Sequence, residues 1–140
     1  MRILIVNGPN LDMLGTREPA IYGDRTFADH LAELRGVFAG HALSHMQSNV
    51  EGELINALRD ANSSQDAVVL NAAGYSHTSV ALRDTIAWLG IPVVEVHISN
   101  IHAREEFRER SLTAAKCIGA ITGFGLDGYR MAIDHLLRRG

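Results

Sequence analysis

Four short stretches of the chain gather amide, hydroxyl and imidazole side chains: Asn7-Gly8-Pro9-Asn10, Ser48-Asn49, Asn71-Ala72-Ala73-Gly74-Tyr75-Ser76-His77 and His97-Ile98-Ser99-Asn100. Any one of them reads as ordinary turn and cap chemistry. Together, with two histidines among them, they read more strongly as one polar pocket. A further pair, Arg17 and Tyr22, stands in TREPAIYG within an 18-residue stretch from Gly8 to Arg25. Connections of this kind usually run about 2–6 residues, and longer ones often close over a site. A tyrosine serving as a base near neutral pH needs its pKa lowered by about 2–3 units, which is about 3–4 kcal/mol. One guanidinium at about 4 Å in an effective dielectric near 20 supplies about 4 kcal/mol. Arg17 is therefore able to hold Tyr22 as a phenolate if the two lie close. His97 is the natural counterpart: on a strand, Glu95 and His97 point to the same side. A carboxylate beside an imidazole orients it and favours its charged form, the requirement for a general acid. The competing reading is a capping or core histidine, and position alone does not separate the two.

Other chemistries fit less well. Gly123-Phe124-Gly125-Leu126-Asp127-Gly128 matches G-x-G-x-x-G, but no strand and no acidic residue about 20 positions on follows it. These glycines read as a tight turn and close packing. His97 and His102 lack zinc-ligand spacing and cysteine partners. The single cysteine, Cys117, falls in a predicted buried strand, where a thiol is inert. Ser99 has no nucleophile-elbow sequence, and the only lysine, Lys116, precedes the fifth strand, away from the pocket. The remaining histidines His30, His41, His45 and His135 are expected on the surface. A net charge of −3 gives non-specific nucleic-acid binding no support. No apolar run is long enough to span a bilayer, and the first residues lack the features of a signal peptide, so a soluble cytoplasmic protein is expected. What remains is acid–base chemistry without cofactor or metal on an anionic or hydroxyl-rich small molecule: proton abstraction beside a carbonyl, then loss of a hydroxyl. Two alternatives stay open, another cofactor-free hydroxy-acid lyase and a flavodoxin-like module that binds FMN or a nucleotide.

The elements that must carry these residues are legible in the apolar pattern of the 140-residue chain. Continuous apolar runs at 2–6, 67–70, 91–96 and 117–122, with a weaker, more polar one at 42–47, predict strands covered on both faces. Helical stripes lie between them: Phe27, Leu31, Leu34 and Phe38 behind a Thr26/Asp29 cap; Leu54, Ile55, Leu58 and Ala61; and Leu82, Thr85, Ile86 and Leu89. A short helix is predicted over 103–110 and a last one from Asp127 to Arg139. Five strands alternating with helices predict one α/β domain over 1–140. Its fold class is a flavodoxin-like, doubly wound parallel sheet of order 2-1-3-4-5, with the weak second strand at an edge.

The motifs NGPNLDMLGTREPAIYG, QSNVEGELI, LNAAGYSHTSVALRD and EVHISNIHAREEFRERS resemble, in order and spacing, those of the type II dehydroquinases (3-dehydroquinate dehydratases) over nearly the whole chain. The resemblance implies a flavodoxin-like fold and anti elimination of water from 3-dehydroquinate through an enolate, in chorismate synthesis or quinate breakdown. It implies that Tyr22, activated by Arg17, removes the C2 proton and that His97, supported by Glu95, protonates the departing C1 hydroxyl. Asn10 would help position the long first loop as a lid, together with a water that stabilises the enolate. Asn71, His77 and Arg108 would hold substrate hydroxyls, and Ser99 with the backbone of Ile98 the carboxylate. The family's usual assembly, a dodecamer built as a tetramer of trimers, would bring Asp84 to a neighbour's site. Two positions depart from the pattern: Asp12 where the family often has asparagine, and Val50 where many members have histidine.

Overall fold

The computed structural model describes residues 1–16, 20 and 24–140. Strands β1 (Arg2–Asn7), β2 (Ala42–Gln47), β3 (Ala67–Asn71), β4 (Val93–His97) and β5 (Gly119–Thr122) form one parallel sheet in the order β2-β1-β3-β4-β5. This is the predicted flavodoxin-like order, with the polar strand at the edge. Among the described residues the α-helices are α1 (Phe27–Val37), α2 (Glu51–Ser64), α3 (Val80–Trp88) and α4 (Asp127–Arg139).

Alternate strand residues feed two apolar layers, because side chains change face at every step. Ile3, Ile5, Val69 and Val96 pack with Leu31 and Leu34 of α1 and with Tyr129, Ile133 and Leu136 of α4. Leu4, Val6, Val68 and Leu70 pack with Leu54 and Leu58 of α2 and with Leu82 and Ile86 of α3. Both faces are thus covered, which explains the continuous rather than alternating apolar runs. Truncating a fully buried leucine such as Leu58 to alanine costs about 2–5 kcal/mol. Two of the helices, α1 and α3, are capped by side chains: Thr26 Oγ1 accepts from the Asp29 amide at 3.1 Å and Ser79 Oγ from the Leu82 amide at 2.9 Å.

The register brings polar residues into line at the carboxyl ends of the strands: Gln47 beside Asn7, Asn7 beside Asn71, and His97 beside Thr122. Immediately beyond, the chain crosses itself closely. Gly8 donates its amide to the Asn71 carbonyl at 2.7 Å, and a Cβ at Gly8 would stand 2.6 Å from the Ala72 carbonyl oxygen. Only glycine fits there. The Gly123–Gly128 motif serves packing, as expected: at Gly128 a Cβ would come within 3.1 Å of Val96 Cγ1 where α4 lies on the sheet.

Four expectations are corrected. The predicted strand at 117–122 begins only at Gly119, and its first residues are exposed rather than covered on both faces. Cys117 precedes it rather than lying within it, half-buried, with its thiol donating to the Thr113 carbonyl at 3.4 Å; burial pushes its pKa up to about 12 and keeps the thiol protonated. The predicted helix over 103–110 is two single 3-10 turns, Ile101–Ala103 and Glu106–Arg108, separated by extended backbone at Arg104. His30 and His45 are not surface residues. His30 is 5% exposed one turn from Phe27 on the α1 stripe, and the half-buried His45 ring lies against Phe27, centroids 4.7 Å apart and planes tilted by 33°. An imidazole on an apolar stripe is carried inward with its neighbours. His41 and His135 are exposed, as expected.

Burial, and secondarily Arg25 for His30 and Arg35 for His45, holds both rings below the ordinary pKa of 6.5. The unfolded chain therefore takes up protons that the native rings refuse, so stability is complete above about 6.5 and is lost as pH falls below it. The urea midpoint should drop between about pH 7.5 and about pH 5.5, and His30→Phe should lessen the drop. An equal drop in wild type and variant would contradict this account.

Candidate active site

The strand ends and the segments that follow them enclose a cleft of about 500 Å³, lined among others by Asn10, Asn49, Asn71, Tyr75, His77, His97, Ile98, Ser99, Arg104 and Arg108. That volume suits a small polar molecule. Asn10, Asn71, His77, His97, Ile98, Ser99 and Arg108 were expected at one site, and the fold brings them together. Glu95 lies directly beneath His97. Asp84 is exposed on α3 and does not line the cleft of its own chain. Arg17 and Tyr22 lie outside the described residues.

His97 is the last residue of β4, and Glu95 sits two residues earlier on the same face. The His97 Nε2 to Glu95 Oε2 distance is 2.7 Å, with the histidine 6% and the glutamate 0% exposed. A carboxylate only accepts, so Nε2 carries the proton and Nδ1 is left for the cleft. The Ser111 hydroxyl donates to the same Oε2 at 2.7 Å, and the Thr113 hydroxyl donates to Oε1. Burial pushes the Glu95 carboxyl up. The hydrogen bond and charge of His97, then the Thr113 and Ser111 hydroxyls, outweigh it and leave the pKa below the ordinary carboxylate value. Glu95 is therefore an anion under His97.

His77 has a different partner. Its ring lies beside that of His97, centroids 5.9 Å apart and planes within 26°. Nδ1 meets the Arg110 carbonyl at 2.8 Å, so it donates there and Nε2 becomes an acceptor. Burial lowers the His77 pKa; the Arg110 carbonyl opposes this, and the charges of His97 and Arg108 add to the fall. One imidazole is thus paired to an anion and fitted to deliver a proton, and its neighbour is kept neutral and fitted to accept one from a hydroxyl.

Asn10 adopts a left-handed backbone (φ 68), and its amide donates to Asn49 Oδ1 at 3.0 Å. Asn49 Oδ1 also receives Gln47 Nε2 at 3.1 Å, while its carbonyl receives the Tyr75 hydroxyl at 2.9 Å. At the far wall Arg108 pairs with Glu105, and Arg104 reaches Ser99 Oγ at 3.5 Å. Two arginines on one side of the cleft suit an anionic ligand.

Sequence reading missed Ser111, Thr113, Tyr129 and Arg104. Ser111 and Thr113 are 16 and 18 residues from Glu95, too far for any local spacing to reveal. Tyr129 read only as one position of the α4 stripe. Asn7 and Asn49 stood within the polar stretches but were given no role. Arg104 lay within reach of inference, four residues before Arg108 in the same motif.

A family model described as Dehydroquinase class II matches residues 1–137. A 3-dehydroquinate dehydratase from Exiguobacterium sp. is 54% identical over 138 residues, covering 98% of this chain and 94% of the relative. A protein named catabolic 3-dehydroquinase 1, from Fusarium vanettenii, is 46% identical over 138 residues, covering 97% of this chain and 96% of its own. The crystal structure of a type II dehydroquinase from Butyrivibrio crossotus superposes with a TM-score of 0.93 at 42% identity, covering 98% of this chain and 97% of that one.

The site geometry makes a prediction independent of any reaction. An NMR titration of the imidazoles should find the His77 midpoint below the ordinary 6.5. A midpoint at or above that value would contradict the neutral, accepting role.

Proposed function

Because the chain belongs to the class II dehydroquinase family, we propose that it dehydrates 3-dehydroquinate to 3-dehydroshikimate by anti elimination through an enolate, using only its own side chains. The observation that carries this reading is the buried Glu95–His97 pair at the floor of a cleft lined by amides, hydroxyls and arginines. The reaction needs a base and an acid. Tyr22, as a phenolate held by Arg17, takes the C2 proton and leaves an enolate with its charge on the C3 oxygen. His97 Nδ1 then gives its proton to the C1 hydroxyl, which leaves as water as the C1–C2 double bond forms. Glu95 stays ionised beneath the imidazolium and steadies it.

The remaining residues bind and orient. Asn10 stabilises the enolate through a water. Asn71, His77 and Arg108 take substrate hydroxyls, His77 as an acceptor through Nε2. Ser99 and the backbone of Ile98 take the carboxylate. The same chemistry serves chorismate synthesis and quinate breakdown, so the reaction alone does not choose between the two pathways.

Self-association belongs to this reading. Strand β5 is a sheet edge with exposed Gly119 and Ala120, and Ile118 and Phe124 beside it are 46% and 62% exposed. An exposed edge flanked by apolar side chains favours pairing with another copy. We take the assembly to be the homododecamer, a tetramer of trimers, in which Asp84 reaches a neighbour's cleft. We take the enzyme to be cytoplasmic; among the described residues no helix is long and apolar enough to cross a membrane.

Adding 3-dehydroquinate in the presence of a chelator should give an ultraviolet rise from the conjugated enone, in proportion to enzyme. No rise from folded protein would refute the proposal. Tyr22→Phe should cut turnover by about 10²–10⁴-fold, the usual worth of an acid or base, while substrate still binds by calorimetry. Turnover near wild type would remove Tyr22 as the base.

A further inference from the structure

We propose that Tyr129 of α4 is a positioning residue for the substrate-holding amide of Asn71, acting through a buried hydrogen-bond relay that passes on to Asn7. The inference rests on the reading of Asn71 as a substrate ligand and extends it to a residue that no substrate touches.

Tyr129 is 0% exposed, as is Asn7, and Asn71 is 3% exposed. The Tyr129 hydroxyl donates to Asn7 Oδ1 at 2.8 Å and accepts from Asn71 Nδ2 at 2.9 Å. A hydroxyl has one proton, so these two contacts fix the direction of the relay: Asn71 to Tyr129 to Asn7. Asn7 Nδ2 continues it to His45 Nε2 at 3.2 Å, which makes that nitrogen an acceptor. Burial holds the phenol far above its ordinary pKa, against the opposing effect of Asn71, so the donor is never lost by ionisation in the working range.

The consequence falls on Asn71. Its Oδ1 accepts from the Ala73 amide at 3.1 Å, and one Nδ2 proton is taken by Tyr129. Both ends of the amide are therefore anchored, and its orientation is single-valued. What remains for a ligand in the cleft is one Nδ2 proton and one Oδ1 lone pair, in fixed places. Remove the hydroxyl and one anchor goes; the amide can then turn and offer its oxygen where its nitrogen belongs. The same change leaves Asn7 Oδ1 and Asn71 Nδ2 short of a partner in a dry interior, a loss of stability that by itself says nothing of substrate. The two effects are separable, because a purely structural role lowers the unfolding midpoint without moving KM at temperatures well below it.

The test is a double-mutant cycle read in steady-state kinetics with 3-dehydroquinate, well below each variant's unfolding midpoint. Tyr129→Phe should raise KM about tenfold, the worth of one hydrogen bond, with kcat within about threefold of wild type. In an Asn71→Ala background the same substitution should add nothing, since the group it orients is absent. No rise in KM, or an equal rise in both backgrounds, overturns the proposal. If Asn71→Ala alone leaves KM unchanged, the reading of Asn71 as a substrate ligand fails, and the positioning role fails with it. Should Tyr129→Phe not fold, Asn7→Ala carries the same test: it removes the acceptor that orients the hydroxyl, leaves the Tyr129 ring in place, and should raise KM only where Asn71 is present.

Discussion

Taking a carboxylate out of water costs several kcal/mol unless its lone pairs are met by good donors. Glu95, with none of its surface exposed, meets that condition through His97 and Ser111 on one oxygen and Thr113 on the other. The rest of the site follows from keeping that charge satisfied. Ser111 and Thr113 come from the segment after the second 3-10 turn, which is tied down by the Leu112 amide on the Ser76 carbonyl at 2.7 Å and by Arg83 on the Leu112 carbonyl at 3.3 Å. The same segment offers the Arg110 carbonyl that fixes His77. One short stretch of chain therefore reaches both imidazoles, His97 through the carboxylate it satisfies and His77 through a carbonyl. The two adjacent rings thus have different partners, an anion for His97 and a carbonyl for His77.

The sheet supplies the second constraint. Parallel strands in this register end side by side, so polar residues closing different strands become neighbours without any being close in sequence. Asn7 and Asn71 end adjacent strands, and a single helix-borne phenol then joins them from beneath. The apolar layers on both faces leave these ends as the place where buried amides can meet both one another and a ligand.

How far this was legible in the sequence depended on range. Continuous apolar runs at 2–6 and 67–70 announced covered strands, and the polar run at 42–47 announced an edge; both hold because burial on two faces leaves a direct mark on composition. The period-two argument for Glu95 and His97 held for the same local reason. Failures came where the deciding contact is distant. Nothing near Ser111 or Thr113 indicates a carboxylate 16 or 18 residues back. His30 and His45 looked like surface residues because their type is polar, and only their place on the Phe27 side of the core shows otherwise. The 117–122 run looked like a covered strand because small apolar residues read alike on an exposed edge and in a core.

The central claim is that an ionised Glu95 holds His97 with Nε2 inward so that Nδ1 can deliver a proton. Its most direct test is the turnover of Glu95→Gln on 3-dehydroquinate, with the fold checked by circular dichroism. The neutral amide keeps the size of the side chain but cannot balance an imidazolium. The account predicts that kcat falls by about 10²–10⁴-fold with KM within a few-fold of wild type. A folded variant with unchanged kcat would contradict it.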